Sequence, residues 1–292
     1  MGVLALGMWF GLPIATAAPA DVRVLVANQP TPAARETLAA LVSRFPSATT
    51  DTEARRLVRR PGPGVHVALG ADALKDLLEA GPDGPVLALL TSSESFRATV
   101  AATGGDRRQA PVSAIFAEAA PMQQLMLIRM IFRRRVTVGV LLTENTAHVE
   151  PLIRSAARGA DLAVEIQRME RGENPIRALT RLASASVLLA VPDRSIFSAE
   201  NVQAFLEATY RRGLPVVGFS SALVRAGTLA SVYSTVDEVV LQASTLIEQL
   251  ANGQQPGAQY PIHWRVAVNE SVARSMNIPI DDEARGFASP VR

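Results

Sequence analysis

Short runs of consecutive apolar residues recur along the chain at intervals typical of an alternating α/β protein. Each run is rich in Val, Leu, Ile and Ala and is apolar on successive positions, which predicts strands covered on both faces, as in a parallel sheet. The predicted strands are 22–27, 65–69, 86–90, 112–117, 136–142, 162–166, 187–191 and 216–219.

Between these runs, apolar residues spaced three and four apart predict amphipathic helices, several of them after a capping Ser, Asp or Asn. The predicted helices are 31–45, 71–80, 122–132, 147–158, 176–183, 199–212, 236–250 and 270–276. Strands that alternate with helices predict parallel sheets joined by right-handed crossovers.

The series restarts after the helix 122–132, which predicts two lobes of similar make. The run 228–234 follows the strand 216–219 without a full helix between them, although parallel neighbours usually need a crossover of a dozen residues or more. We therefore expect 228–234 to leave the second lobe and cross to the first. The next helix would pack there through Leu241, Leu246, Ile247 and Leu250.

The expected boundaries follow from these crossings. Lobe 1 comprises 21–133 and 234–257, and lobe 2 comprises 134–228 and 266–292. The hinge crossings are expected near 133–136, 228–234 and 260–266. In open α/β sheets the ligand site lies beyond the carboxyl ends of the strands, so two facing lobes predict a binding cleft.

Composition excludes several classes of function. The 292 residues carry 29 basic and 27 acidic side chains, with no basic face interleaved with aromatics, so nucleic-acid binding is not expected. The run Arg133 to Arg135 is interpreted as a solvated helix end. The chain has no cysteine, which excludes disulfides, thiolate sites and a lipidated cysteine. Its three histidines lack metal-ligand spacing, so neither a metal nor a cofactor is expected.

The first twenty residues, MGVLALGMWFGLPIATAAPA, predict a secretory signal peptide. They form an apolar run that is broken by Pro13 and closes on the A-x-A pattern Ala18-Pro19-Ala20, with cleavage expected near residues 17–20. No Lys or Arg precedes the run, and an uncleaved anchor is the alternative. The mature protein is expected in the periplasm, not lipidated.

Two segments of the second half resemble a known family. GLPVVGFSSALVRAGTLASVYSTVDEVVLQASTLIEQLANGQQPGAQYPI and WRVAVNESVARSMNIPI are similar in order and spacing to the C-terminal third of ABC transporter substrate-binding proteins of the tryptophan/tyrosine-transporter-like group. VTVGVLLTEN and VALGADAL add support. The first lobe departs from the family, because it lacks the family's Asp-Pro after the strand and its Arg-Pro-Gly-Gly-Asn loop.

The resemblance implies a type I periplasmic binding protein: two Rossmann-like lobes with parallel sheets, joined by a hinge of three crossings. It implies a monomeric, non-enzymatic receptor that closes on a small molecule, such as an amino acid, and presents it to an ABC permease in the inner membrane. A sensory receptor for a histidine kinase or chemoreceptor is the alternative.

The ligand-binding residues implied by the resemblance are polar residues at points where apolar strands stop. The simpler interpretation is that such side chains cap helices. The free N–H groups at Ala71 would suit a ligand carboxylate, and Glu118 or Asp193 an amine. The full set is Asn28, Gln29, Gly70, Ala71, Asp72, Thr91, Ser92, Ser93, Glu118, Thr143, Asn145, Asp193, Ser220, Ser221 and Tyr233.

A serine hydrolase is a rival interpretation of one motif. Gly218 to Ala222 (GFSSA) differs at one position from the G-x-S-x-G motif of a nucleophile elbow. Asp237 and His263 follow in the order used by α/β-hydrolases. Against it, the last position is Ala and few strands remain to complete that fold.

Overall fold

A computed structural model describes residues 20–104 and 110–289, which form two α/β lobes. The predicted signal peptide, apart from Ala20, lies outside the described residues. Within the described part of the chain, no helix is long and apolar enough to cross a membrane.

The first sheet has five parallel strands in the order β2-β1-β3-β4-β5. All residues of β1 and β3, and all of β4 except Leu90, are buried, as expected for a sheet with helices on both faces. The polar edge strand β2 has no apolar run and was not predicted. The strands are β1 (Val22–Val26), β2 (Thr49–Asp51), β3 (Val65–Leu69), β4 (Val86–Thr91) and β5 (Val112–Phe116).

Four helices from the first part of the chain surround this sheet. Helix α1 packs on one face, and α2, α3 and α4 lie on the other. Helices α2 and α4 were not predicted, because polar residues interrupt their apolar spacing. The bounds are α1 (Pro32–Arg44), α2 (Ala54–Val58), α3 (Ala71–Glu79) and α4 (Ser93–Ala102).

The second sheet has six strands in the order β11-β10-β9-β8-β6-β7. All neighbours are parallel except β10 and β11, which are antiparallel. The strands are β6 (Thr137–Leu142), β7 (Ala163–Arg168), β8 (Val187–Leu189), β9 (Val216–Gly218), β10 (Ala230–Tyr233) and β11 (Arg265–Val268).

The remaining helices follow in chain order, and α10 alone among them packs mainly against the first sheet. Short 3-10 turns precede α6 and follow α7. The bounds are α5 (Pro121–Phe132), α6 (Glu150–Gly159), α7 (Pro175–Ala178), α8 (Val202–Arg211), α9 (Ser221–Ala226), α10 (Val236–Ala251), α11 (Glu270–Ser275) and α12 (Asp282–Arg285).

The expectation that 228–234 leaves the second lobe is wrong. Strand β10 pairs in parallel with β9, with Ala230 opposite Val217 and Ser231 opposite Gly218. The six-residue helix α9 suffices as the crossover because β10 is the immediate neighbour of β9. Gly227, at φ 126°, then turns the chain back toward the sheet in a conformation that disfavours other residues.

The three crossings exist, but two lie elsewhere than expected. Helix α5 packs in the core of the second sheet, so the first crossing is at 117–120 and not at 133–136. The second crossing, 234–235, comes directly after β10, and the third is at 261–263. The predicted stripe of α10 is correct except for Leu241, which is 53% exposed while Val240 is buried.

Two buried glutamines brace these crossings. The Gln124 side chain in α5 donates to Val232 O at 3.2 Å and accepts from Val232 N at 3.1 Å. The Gln242 side chain in α10 donates to Tyr260 O at 3.3 Å and accepts from Ile262 N at 3.0 Å. Each glutamine side chain therefore hydrogen-bonds to backbone N–H and C=O groups that no neighbouring strand pairs.

Candidate ligand site between the two lobes

A cavity lies where the two lobes meet, next to the crossings. About 30 Å³ of it is open to the centres of water-sized molecules. Since one buried water needs roughly 10–15 Å³ on this measure, the cavity has room for about two or three waters. Its lining is Ser93, Glu118, Ala119, Pro121, Gln124, Val149, Ile153, Leu189, Ala190, Val191, Pro192, Phe219 and Tyr260.

The first lobe reaches the cavity through a local irregularity at the end of β4. The pairing of β4 with β5 shifts register between Ala88 and Thr91, and Leu90 takes a left-handed φ of 56°. Bulges of this kind redirect the residues that follow, and a left-handed leucine costs about 1 kcal/mol or more. Ser92 then caps α4 by accepting from Ser95 N, which places Ser93 at the cavity.

Glu118 is the buried acid of this site. It is 4% exposed and sits in the first crossing, where its Oε1 accepts from Ser93 N at 2.9 Å. Its Oε2 is buried without a hydrogen-bond partner among the described residues. Burial raises the pKa of this carboxyl above its ordinary value, hydrogen bonding from Ser93 opposes the rise, and the charge of Glu94 adds to it.

Tyr260, directly before the third crossing, adds an aromatic side chain to the cavity lining. Its ring packs edge-on against Phe116 at a centroid distance of 5.0 Å, and Phe116 in turn packs against Phe96 at 5.7 Å. Burial raises the pKa of the Tyr260 hydroxyl, the charge of Glu118 adds to the rise, and hydrogen bonding with Ser93 opposes it. Glu118, Ser93 and Tyr260 thus form one polar group in a cavity whose other lining residues, apart from Gln124, are apolar.

The second lobe supplies the apolar wall. Leu189 to Pro192 continue from β8, Phe219 follows β9, and Val149 and Ile153 face in from the start of α6. Phe219 is held edge-on against Phe197 at 5.6 Å. This lobe offers shape and apolar contact, whereas the first lobe offers charge.

Asp193 serves another purpose. Its carboxylate is 3% exposed and accepts from Thr143 Oγ1 at 2.5 Å, Thr146 Oγ1 at 3.0 Å and Ser195 N at 2.9 Å. These bonds tie the segment after β6 to the segment after β8. The acceptors of Asp193 are therefore engaged within the lobe, and no ligand is needed to satisfy them.

The structure brings together two of the expected site residues at the cavity, Ser93 and Glu118. Thr143 and Asn145 line a separate polar groove on the second lobe, beside Glu170 and Glu173. The other expected residues do not line the cavity. Asn28, Gln29 and Asp72 are exposed, Gly70 and Ala71 begin α3, and Thr91 Oγ1 donates to Leu89 O. Ser92 and Ser220 cap helices, Ser221 begins α9, and Tyr233 ends β10.

The predicted nucleophile elbow is a helix cap. Ser220 Oγ accepts from Leu223 N at 3.2 Å and begins α9. Asp237 is exposed in the first turn of α10, and His263 O accepts a hydrogen bond from Ser234 Oγ. Within the described residues, no hydrogen bond joins Ser220 to either of them.

The residues that sequence reasoning missed are mainly apolar. Ala119, Pro121 and Gln124 lie in or after the first crossing, which was expected at 133–136, and Tyr260 lies next to the third crossing, which was expected near 260–266. Phe219, directly after β9, also lines the cavity. An available signal was position, because Ala119 and Phe219 follow predicted strands closely and Tyr260 lies at the expected third crossing.

Comparison with known sequences finds no matching family model and no matching curated protein. Comparison with solved structures does find matches. A conserved domain protein from Vibrio cholerae is 17% identical, with a TM-score of 0.61 over 92% of this chain and 99% of that one. The ABC domain in complex with L-Trp from Streptococcus pneumonia is also 17% identical, with a TM-score of 0.62 over 92% of this chain and 99% of that one.

A third solved structure extends the comparison. It is a ligand-free, open substrate-binding protein with adhesive properties from Clostridium difficile, 13% identical, with a TM-score of 0.64 over 91% of this chain and 97% of that one. Identities this low establish the fold alone. The fold class expected from the sequence is confirmed: the chain shares the two-lobed type I periplasmic binding protein fold of these solved structures.

Proposed function

We propose that the chain is the solute-binding component of an ABC-type uptake system, located in the periplasm, which closes its two lobes on a small ligand. The observation that carries this proposal is the inter-lobe cavity, which both lobes and the crossings line. A ligand held there contacts both lobes at once, so it binds the closed arrangement more tightly than the open one. Its effect on closure can be no larger than that difference in affinity.

The small size of the cavity also supports ligand binding by opening and closure of the lobes. A ligand larger than a few waters enters only when the lobes separate or when Tyr260 and Phe219 move aside. Both aromatic side chains are half-buried at the cavity. Entry from an open form, followed by closure, excludes water from Glu118 and strengthens its polar contacts.

Sequence and comparison support the location and the ligand class in this proposal. The apolar first twenty residues, which close on an A-x-A pattern, favour export to the periplasm. The solved neighbour bound to L-Trp makes amino acids and related molecules the first ligands to test. A permease that receives the closed form is the partner that such a receptor requires.

The direct test is a thermal-shift screen of the mature chain with amino acids, nucleosides, small peptides and simple amines. A ligand that binds the folded state raises the melting temperature in proportion to the logarithm of its concentration once binding saturates. We expect at least one compound to do so. If the whole library leaves the melting temperature unchanged, the solute-binding proposal fails.

A further inference from the structure

We propose that the cavity binds a small organic ammonium ion, an apolar primary amine without a carboxylate, with Glu118 Oε2 accepting from the ammonium group. This inference rests on the proposed solute-binding function and names the chemical class of its ligand. It departs from the expectation of an amino acid.

The first step is the unused acceptor. Glu118 Oε1 is engaged by Ser93 N, while Oε2 of this cavity-lining residue is buried without a hydrogen-bond partner in the described chain. A buried polar atom without a partner destabilises the folded protein, and more strongly when it is charged. A ligand group that donates hydrogen bonds to Oε2 recovers this cost.

The second step is the sign of the charge. Two buried acids, Glu118 and Glu94, act on each other electrostatically, and none of the described residues lining the cavity is Lys or Arg. A ligand carboxylate placed here would meet like charge in an apolar surrounding, which is strongly unfavourable. A cation would instead be attracted by both acids.

Arg97 is the basic side chain that has to be considered as a carboxylate partner. Burial raises the pKa of the Tyr260 hydroxyl, and the positive charge of Arg97 opposes that rise. Its side chain is exposed and does not line the cavity. Arg97 therefore offers a test of the rival ligand class.

The third step is the body of the ligand. Val149, Ile153, Leu189, Val191 and Phe219 line the same cavity as Glu118. An aliphatic or aromatic body suits these apolar side chains, because burying apolar surface away from water is favourable. The Tyr260 ring can add a cation–π contact with the ammonium group.

The number of protons released on ligand binding distinguishes a ligand-binding role of Glu118 from a purely structural one. When the Glu118 carboxyl is protonated in the free protein, binding of R–NH₃⁺ displaces that proton to solvent and leaves an ammonium–carboxylate pair. Calorimetry in two buffers of different ionisation enthalpy measures the proton release. Affinity is expected to weaken as the pH falls and protonated Glu118 predominates.

The experiment uses matched pairs, each an amine and the amino acid that differs from it by one carboxylate. The pairs are isoamylamine with leucine, phenethylamine with phenylalanine, tyramine with tyrosine and tryptamine with tryptophan, and 2-phenylethanol is the uncharged control. Titration calorimetry at pH 7 should show at least one amine binding about tenfold or more tightly than its amino acid. Glu118→Gln should lower the affinity for that amine at least about tenfold.

Two variants serve as controls for the amine. Glu248→Gln repeats the same chemical change on an exposed position of α10, and Arg97→Gln removes the nearby cation. Neither should weaken amine binding. The inference is overturned if no amine binds, if 2-phenylethanol binds as tightly as phenethylamine, or if every amino acid binds more tightly than its amine and loses affinity in Arg97→Gln.

Failure of this inference is distinguishable from failure of the proposed function. If amino acids bind and amines do not, the solute-binding function stands and the ligand class is wrong. If no member of the pairs and no member of the wider thermal-shift library binds, both fail.

Discussion

Two buried acids of similar exposure, Glu118 and Asp193, have opposite surroundings. Asp193 accepts three hydrogen bonds within its own lobe, whereas Glu118 has one acceptor engaged and one unused. Sequence reasoning proposed both as contacts for an amine, because both follow predicted strands. It could not separate them, since the difference depends on Thr143 and Thr146, which approach Asp193 from another strand end.

The raised pKa of Glu118 predicts a specific dependence of stability on pH. Because burial holds the folded-state pKa above the ordinary value of about 4.3, the folded state binds the proton more tightly than the unfolded chain. The stabilisation from this group is complete below the unfolded pKa and is lost as the pH rises through the folded pKa. Glu118→Gln removes the titration.

We therefore expect the free energy of unfolding of the wild type to fall relative to that of Glu118→Gln as the pH rises from 4 toward neutrality. Urea unfolding of both proteins at matched pH values measures the difference. A difference that stays constant across this range contradicts the assignment of a raised pKa to Glu118.

Asp193 is predicted to matter for stability. Asp193→Ala leaves the hydroxyls of Thr143 and Thr146 and the Ser195 N–H without their acceptor, which should lower the free energy of unfolding by about 2–4 kcal/mol. Chemical denaturation measures this loss, with Asp282→Ala on the exposed face of α12 as the control that should show no measurable change. Equal stability of Asp193→Ala and wild type would show that the network contributes little.

At the scale of elements, most of the fold could be predicted from apolar runs and their spacing. The eight predicted strands exist, and helix α10 packs on the first lobe as expected. The position of β10 could not be predicted, because it depends on how little chain a crossover between adjacent strands requires. The brace from Gln124 to Val232 joins residues 108 positions apart, a pairing that no local pattern indicates.

Gln124 is predicted to hold β10 beyond the end of β9. Gln124→Leu keeps the approximate size of the side chain but removes the acceptor of Val232 N–H and one of the two donors to Val232 O, which keeps the hydrogen bond from Ser231 Oγ. The loss of these buried hydrogen bonds should cost about 1–3 kcal/mol. Amide hydrogen exchange should show loss of protection at Val232. Gln254→Leu, at an exposed position after α10, is the control. Unchanged protection at Val232 would mean that the hydrogen bonds between β10 and β11 hold β10 in place without Gln124.

At the scale of the whole molecule, the crossings couple the cavity to the relative positions of the lobes. Glu118 lies in the first crossing, and Tyr260 lies directly before the third. Ser234 in the second crossing donates to His263 O in the third, and Arg265 Nε donates to Glu238 Oε1 at 2.8 Å beside them. A ligand that contacts Glu118 and Tyr260 therefore contacts residues in or next to the segments that join the two lobes.

The distance between the lobes, with and without ligand, tests this account most directly. The chain has no cysteine, so Asp72→Cys and Arg171→Cys, one exposed position on each lobe, accept a spin-label pair without side reactions. Pulsed electron–electron double resonance should give a broad distribution of distances between the two spin labels in the free protein. A compound that raises the melting temperature should give a shorter and narrower one. A distribution that no binding compound alters would contradict closure of the two lobes on a ligand.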